Sequence, residues 1–134
     1  MAATLSVSLT YADAPAAIEF LTRAFGFQLR LEVPGEGGKV QHSELSLGDA
    51  VVFVSSPKPE QGRTAPGETV PCSVCLAIED PDEHHARAVA AGAEIVHPLK
   101  DEDYGSRGYM VRDPGGHIWY FGTYKPGRYW DGAS

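Results

Sequence analysis

The alternation of apolar and polar positions predicts a strand–helix–strand–strand–strand order in the first part of the chain. Residues 5–10 alternate strictly, which is typical of a strand with two different faces. Asp13 then has the features of a helix N-cap, and apolar residues at helical spacing continue to Phe25 before Gly26 ends the helix. Further strands are predicted at residues 27–33, 40–47 and 50–54.

The same order recurs in the second half, which indicates an internal duplication. A strand at residues 72–78 precedes a helix capped by Asp80 and ended by Gly92, and strands follow at 93–98, 107–112 and 117–124. We therefore predict an α+β fold of two tandem βαβββ modules, with curved mixed sheets and helices on their convex faces. Within one domain, 1–134, the modules are 1–56 and 70–134, the second including a C-terminal tail, and 57–69 is a linker.

Composition and charge argue against some classes of function, nucleic-acid binding and membrane insertion among them. The formal charge of −7 over 134 residues argues against nucleic acid, because phosphate binding needs a basic stripe that this sequence lacks. An acidic surface modestly favours cationic ligands. The N-terminal residues resemble no signal peptide and no apolar run reaches membrane-spanning length, so we expect a cytoplasmic protein without membrane contact.

Four short motifs, in this order, carry a family resemblance. They are Tyr11-Ala-Asp13, Ile78-Glu-Asp80, Ala90-Ala-Gly92 and Asp113-Pro-Gly-Gly-His117. With them the chain resembles the vicinal-oxygen-chelate superfamily, which includes glyoxalases, extradiol dioxygenases and bleomycin-resistance proteins. The resemblance implies the glyoxalase/bleomycin-resistance fold, and it implies a homodimer whose modules pair across a two-fold axis, sometimes with modules swapped between chains.

The resemblance also implies where a metal would be held. Enzymes of the family bind a divalent cation with one residue located seven positions before each helix-capping Asp and a carboxylate from the last strand of each half. The matching positions are Ser6, Ser73, Phe53 and Tyr120. Because metal sites of this kind need imidazole, thiolate or carboxylate ligands, we expect no metal and no other cofactor.

Strand alternation then predicts a pocket wall of small polar and aromatic side chains. Successive residues of a strand face opposite sides, which turns Ser6, Ser73, His42, Glu44 and Tyr120 away from the helices. Phe53 and Tyr120 would stack on a ligand, Arg107 would clamp a carboxylate or carbonyl beside Tyr104 and Tyr109, and Trp130 would cover the mouth. The alternatives are a solvated strand face for His42 and Glu44, core packing for the rings and a surface ion pair for Arg107. On the second helix, His84 and His85 are expected to be exposed.

These observations favour a metal-free protein of the bleomycin-resistance kind, a homodimer without a catalytic residue. It would sequester a bulky, partly aromatic antibiotic, and Glu44 and the negative charge would favour a cationic group on it. The alternative is a lyase or isomerase of the same superfamily that uses Glu44 or His42 without the usual metal. A third hypothesis is an accessory module whose partner is another protein. The polar wall argues against that third hypothesis, since a disused pocket tends to fill with apolar residues.

Overall fold

Two four-stranded sheets and two α-helices form the main elements of the described part of the chain. The computed structural model describes residues 5–63 and 72–126. The first half contains β1 (Val7–Thr10), α1 (Ala14–Phe25), β2 (Gln28–Pro34), β3 (Val40–Leu47) and β4 (Ala50–Ser55), and the second contains β5 (Ser73–Ala77), α2 (Pro81–Ala90), β6 (Glu94–Asp101), β7 (Arg107–Arg112) and β8 (Ile118–Gly122).

The two sheets have the same topology. Their strand orders are β1-β4-β3-β2 and β5-β8-β7-β6. In each sheet the strands that come first and last along the chain pair in parallel, β1 with β4 and β5 with β8. The remaining pairs are antiparallel. The α+β class and the mixed sheets predicted from the sequence are confirmed.

Both helices begin at the caps that the sequence indicates. The Asp13 Oδ1 atom accepts a hydrogen bond from Ala16 N at 3.1 Å, and Asp80 Oδ1 accepts one from Glu83 N at the same distance. These caps satisfy backbone donors that have no partner inside the helix. The helices are 12 and 10 residues long, and no helix in the described part of the chain is long and apolar enough to cross a membrane.

One hydrophobic core serves both halves. Helix α1 packs on α2, and the Phe25 ring at the end of α1 contacts Trp119 and Phe121 of β8, with ring centroids 5.3 and 4.9 Å apart. Trp119 and Phe121 are fully buried, as strand alternation predicts. The faces of the sheets that carry the helices therefore contribute to a shared interior, and the opposite faces remain outside this core.

Strand β6 is longer than the pattern suggests. It continues past Pro98 to Asp101, whereas the sequence predicts its end at Pro98. As the edge strand of its sheet, β6 tolerates a proline, and its pairing with β7 is irregular between His97 and Lys100. The extension carries Lys100 onto the sheet.

Candidate functional site

The outer face of the second sheet carries a hollow of about 470 Å³. Side chains from three adjacent strands lie side by side in register here, with Tyr120 of β8 between Cys75 of β5 and Met110 of β7. Tyr104 and Tyr124 stand at the rim with their rings edge to face, 87° apart in plane and 5.5 Å apart in centroid distance. The lining is mostly apolar and contains three tyrosine rings.

The imidazole and the two charged side chains of the described lining lie on one side of this hollow, at β6 and the loop that follows it. His97 and Lys100 of β6 line it together with Glu102, and Lys100 Nζ lies 3.7 Å from Glu102 Oε2. Since this pair is partly exposed, it contributes little to stability, and both groups are available to a polar substituent of a ligand.

The hydroxyl group of Tyr120 is held in a hydrogen-bonded chain. It shares a hydrogen bond with Ser106 Oγ at 2.9 Å, and Ser106 Oγ also accepts one from Tyr124 N at 3.2 Å. A hydrogen bond with Tyr120, aided by partial burial, raises the pKa of Tyr104 to about 12. Through Ser106 and the Tyr124 backbone, the chain joins the floor of the hollow to its rim.

A second cluster lies on the first sheet. His42 Nε2 and Glu44 Oε2 are 2.9 Å apart, and the two side chains are 36% and 38% exposed. The Phe53 ring is opposite Glu44 across the strand pair, 5.2 Å from the His42 ring. Leu31 and Val33 of β2 pair with Glu44 and His42 and are also exposed, so the cluster is a polar pair within an open apolar surface.

The predicted ligand-binding residues thus form two groups in one chain. Among the described residues, those that line the hollow on the second sheet all lie between 75 and 126 and include Tyr104 and Tyr120. Ser73 is exposed at the start of β5, outside this lining, and Ser6 directly precedes β1. Trp130 lies outside the described residues.

Arg107 does not approach the hollow as expected. Its side chain turns toward α2, where it donates two hydrogen bonds to the Asp82 carboxylate at 3.0 and 2.8 Å and lies 3.3 Å from Asp101. The bond to Arg107 lowers the pKa of Asp82. On β7, Arg107 is next to Gly108, which lines the hollow, and alternation therefore directs Arg107 to the other face. The surface ion pair is the alternative that the structure favours.

Tyr109 and His84 depart from expectation together. Tyr109 is 1% exposed, and it pairs with Phe121 on the helix-bearing face of the sheet. Its side chain therefore lies on the face opposite the hollow, although β7, which carries it, borders the hollow. His84 is half-buried rather than exposed, with Nδ1 2.6 Å from the Tyr109 hydroxyl and Nε2 2.8 Å from Phe25 O. Nε2 must donate to that carbonyl, which leaves Nδ1 to accept from Tyr109. Burial lowers the pKa of His84.

The Asp113-Pro-Gly-Gly turn does more than reverse the chain. Asp113 is 3% exposed, and its carboxylate accepts hydrogen bonds from Tyr11 Oη at 2.5 Å and Trp119 Nε1 at 2.9 Å. The backbone N–H groups of Gly115 and His117 donate to the other carboxylate oxygen, both at 3.0 Å. Since Tyr11 belongs to the first half, this carboxylate connects the two modules. Burial, followed by the charge of Asp113, raises the pKa of Tyr11.

His117 is likewise a connecting residue. Its Nδ1 accepts from Cys72 N at 3.2 Å, so its Nε2 carries the proton and donates to Thr10 O, also at 3.2 Å. Both bonds are to backbone groups, and the one to Thr10 reaches into the first module. Burial raises the pKa of the Cys72 thiol, while Cys75 lines the hollow, and the two cysteines have separate surroundings as strand geometry predicts.

Sequence reasoning did not identify several residues that shape the hollow. Met110 and Gly108 share the face of Tyr120 through the β7–β8 register, and Ser106 sits in the loop before β7. Alternation along β7 would have found Met110 and would have excluded Tyr109. No sequence signal indicates that Ser106 bonds to Tyr120.

The fold and the repeated motifs agree with a family assignment. Residues 4–121 match the model of the Glyoxalase/Bleomycin resistance protein/Dioxygenase superfamily. Because this match covers most of the chain, the protein belongs to that superfamily.

Individual relatives are also similar. Uncharacterized protein Mb0911c of Mycobacterium bovis and uncharacterized protein Rv0887c of Mycobacterium tuberculosis are each 36% identical over 124 residues, which is 88% of this chain and 81% and 72% of theirs. The crystal structure of TioX from Micromonospora sp. ML1 is 38% identical, with a TM-score of 0.76 over 90% of this chain and 98% of TioX. Lactoylglutathione lyase from Agrobacterium tumefaciens, at 23% identity and a TM-score of 0.69 over 91% and 93% of the chains, shares the fold.

The residues at the family's metal positions do not fit a metal. Ser6, Ser73, Phe53 and Tyr120 offer two hydroxyls, a benzyl ring and a phenol that is already bonded to Ser106. Within residues 5–63 and 72–126, no three His, Cys, Asp or Glu side chains converge as metal ligands would. We therefore derive no chemistry through a metal at these positions.

Proposed function

We propose that this protein is a metal-independent small-molecule binding protein of the cytoplasm, which sequesters a bulky, partly aromatic compound of the antibiotic type. The hollow on the second sheet is the observation that supports the proposal. It contains Met110 and the rings of Tyr104, Tyr120 and Tyr124, and Tyr120 is at one of the positions that the resemblance assigns to a metal ligand. Such a lining favours binding through apolar and aromatic contact.

Aromatic stacking would supply the main part of the affinity. Each ring that stacks on Tyr120 contributes about 0.5–1.5 kcal/mol beyond the burial of apolar area. A positive charge on the ligand would add an attraction to the tyrosine faces, and the formal charge of −7 would attract cations from solution. We therefore expect planar cations to bind more tightly than planar anions.

A second copy of the chain would complete the site. The hollow is open toward solvent in a single chain, while the His42, Glu44 and Phe53 cluster carries exposed Leu31 and Val33 around it. Placing the cluster of one copy over the hollow of another would cover both apolar surfaces and put a carboxylate beside the ligand. A two-fold axis would produce two such sites, with or without swapped modules.

Three probes test the binding proposal. Proflavine is a planar cation, naphthoate is a planar anion and adamantylammonium is a cation without a flat face. Titration calorimetry should rank proflavine first, and Tyr120→Ala should weaken its binding by about tenfold, as expected for the loss of one aromatic contact. Light scattering should report a dimer, and Glu44→Gln should reduce the preference for proflavine over naphthoate.

Three results would contradict this proposal. They are the absence of binding by all three probes, a stoichiometric transition metal in the purified protein, and chemical conversion of bound compounds detected by mass spectrometry. Ser73→Ala serves as the matched control, since Ser73 is exposed on the same sheet but outside the lining of the hollow. Its probe affinities should equal those of the wild type.

The second candidate is a lyase or isomerase that uses Glu44 or His42. The 2.9 Å contact between their side chains, both partly exposed, is the observation that favours it, because a carboxylate beside an imidazole can act as a general base. Glu44→Gln would then abolish turnover of a glutathione–aldehyde adduct or related substrate while leaving proflavine affinity within a few fold. Absence of turnover in the wild type would exclude that substrate class.

A further inference from the structure

Two glycines face each other beneath the Tyr120 ring. Gly108 of β7 and Gly122 of β8 are paired in register, and neither adopts the left-handed backbone conformation that favours glycine. The backbone therefore does not require glycine at either position. Lack of space for a side chain is the remaining physical reason for both.

The Tyr120 side chain occupies that space. A Cβ atom at Gly122 would lie 2.6 Å from both the hydroxyl oxygen and Cε2 of Tyr120. At Gly108, a Cβ atom would lie 2.6 Å from the same hydroxyl and 2.5 Å from Phe121 O. Since a Cβ atom stands one bond above the backbone, the end of the ring must lie against the sheet. The Tyr120 ring consequently lies flat across β7 and β8 instead of projecting into the hollow.

Ser106 fixes the ring in this position. It is 2% exposed and holds the Tyr120 hydroxyl at 2.9 Å, while Tyr124 N donates to the same Ser106 oxygen. Met110 and Cys75 flank Tyr120 on the neighbouring strands. The ring is therefore held at its edges and at its tip, and its free face is directed into the hollow.

We propose that Gly108 and Gly122 are specificity-determining residues, because the room they leave lets Tyr120 lie flat as a stacking floor and restricts the hollow to ligands with a planar ring. The inference rests on the proposed binding function and adds the shape of the ligand to it. A bulky side chain at either glycine would lift the ring and turn the flat floor into an obstruction.

Gly122→Ala is the direct test, because the three atoms nearest to its new Cβ all belong to the flexible Tyr120 side chain. Gly108→Ala is less suitable, since its Cβ would also meet the backbone oxygen of Phe121. Calorimetry with proflavine and adamantylammonium compares a flat and a rounded cation. We expect Gly122→Ala to reduce the ratio of their affinities at least fivefold, and the near-ultraviolet circular dichroism of tyrosine to change.

The double variant Tyr120→Ala/Gly122→Ala separates ring displacement from general damage. With the ring absent, the second substitution should change neither probe affinity nor the urea midpoint relative to Tyr120→Ala alone. If Gly122→Ala does not fold, the double variant should still fold. An unfolded double variant, or two substitutions whose effects simply add, would overturn the proposal.

Failure of this inference can be distinguished from failure of the proposed function. A wild-type protein that binds none of the probes refutes both. A wild type that binds proflavine, together with a Gly122→Ala variant that retains the same affinity ratio and the same circular dichroism, refutes only the role of the glycines.

Discussion

Replacing Asp113 with asparagine tests the connection between the two modules. The carboxylate accepts four hydrogen bonds, from Tyr11, Trp119 and two backbone N–H groups, and is almost fully buried. The substitution keeps the size of the side chain and one oxygen but converts the other oxygen to an amide nitrogen. With the new nitrogen facing Tyr11 and Trp119, both backbone bonds are retained.

The expected loss follows from what each partner can do. The Tyr11 hydroxyl can rotate and accept from the new amide, but the Trp119 indole only donates and is left without an acceptor. One buried unsatisfied donor, together with the loss of charge from the other bonds, should cost about 3 kcal/mol. Tyr11→Phe removes a single charge-assisted bond and should cost about 1.5–2 kcal/mol. The two effects should not add, because both substitutions act on the same bond.

Urea unfolding of the two single variants and the double variant measures these quantities. For a chain of this size, the loss in Asp113→Asn corresponds to a decrease of roughly 9–15 °C in Tm. Asp103→Asn is the control, since Asp103 is exposed in the loop before β7, and it should stay within about 0.5 kcal/mol of the wild type. If Asp113→Asn were as stable as the control, or if the double variant showed simple additivity, the carboxylate would not connect the modules.

Three further predictions concern the end of α1 and its contact with α2. Because burial lowers the pKa of His84 below 6.5, the unfolded chain binds more protons than the folded chain under acidic conditions. The free energy of unfolding should therefore fall as pH decreases through 6.5 toward that lowered pKa. Unfolding in urea should show a weaker pH dependence in His84→Gln than in the control His97→Gln. Phe25→Ala should cost about 3–5 kcal/mol, since the fully buried ring contacts Trp119, Phe121 and His84, and a loss below 1 kcal/mol in thermal unfolding would contradict this packing. Gly26→Ala should cost about 1–2 kcal/mol in the same assay, because φ is 85° at the end of α1, and an unchanged Tm would show that the cap relaxes freely.

For the candidate site residues, the sequence could predict the face of the sheet on which each side chain lies, because side chains alternate between the two faces along a strand. His42, Glu44 and Phe53 share one face of the first sheet, and Tyr120 lines the hollow of the second. The same rule, applied along β7, would have moved Tyr109 and Arg107 to the helix side. Their assignment to the ligand site beside Tyr104 did not take this alternation into account.

Helix caps, turns and the period of each strand depend on neighbouring residues, so the repeated βαβββ order could be derived from residue pattern alone. Contacts between distant residues depend on how the modules pack and on strand register. Tyr11 donates a hydrogen bond to Asp113, which is 102 residues away in the sequence. His84 is partly buried because α2 packs on the end of α1. The flat position of Tyr120 likewise requires two strands to place Gly108 opposite Gly122. Local chemistry specifies the elements, whereas long-range packing determines which side chains share a site.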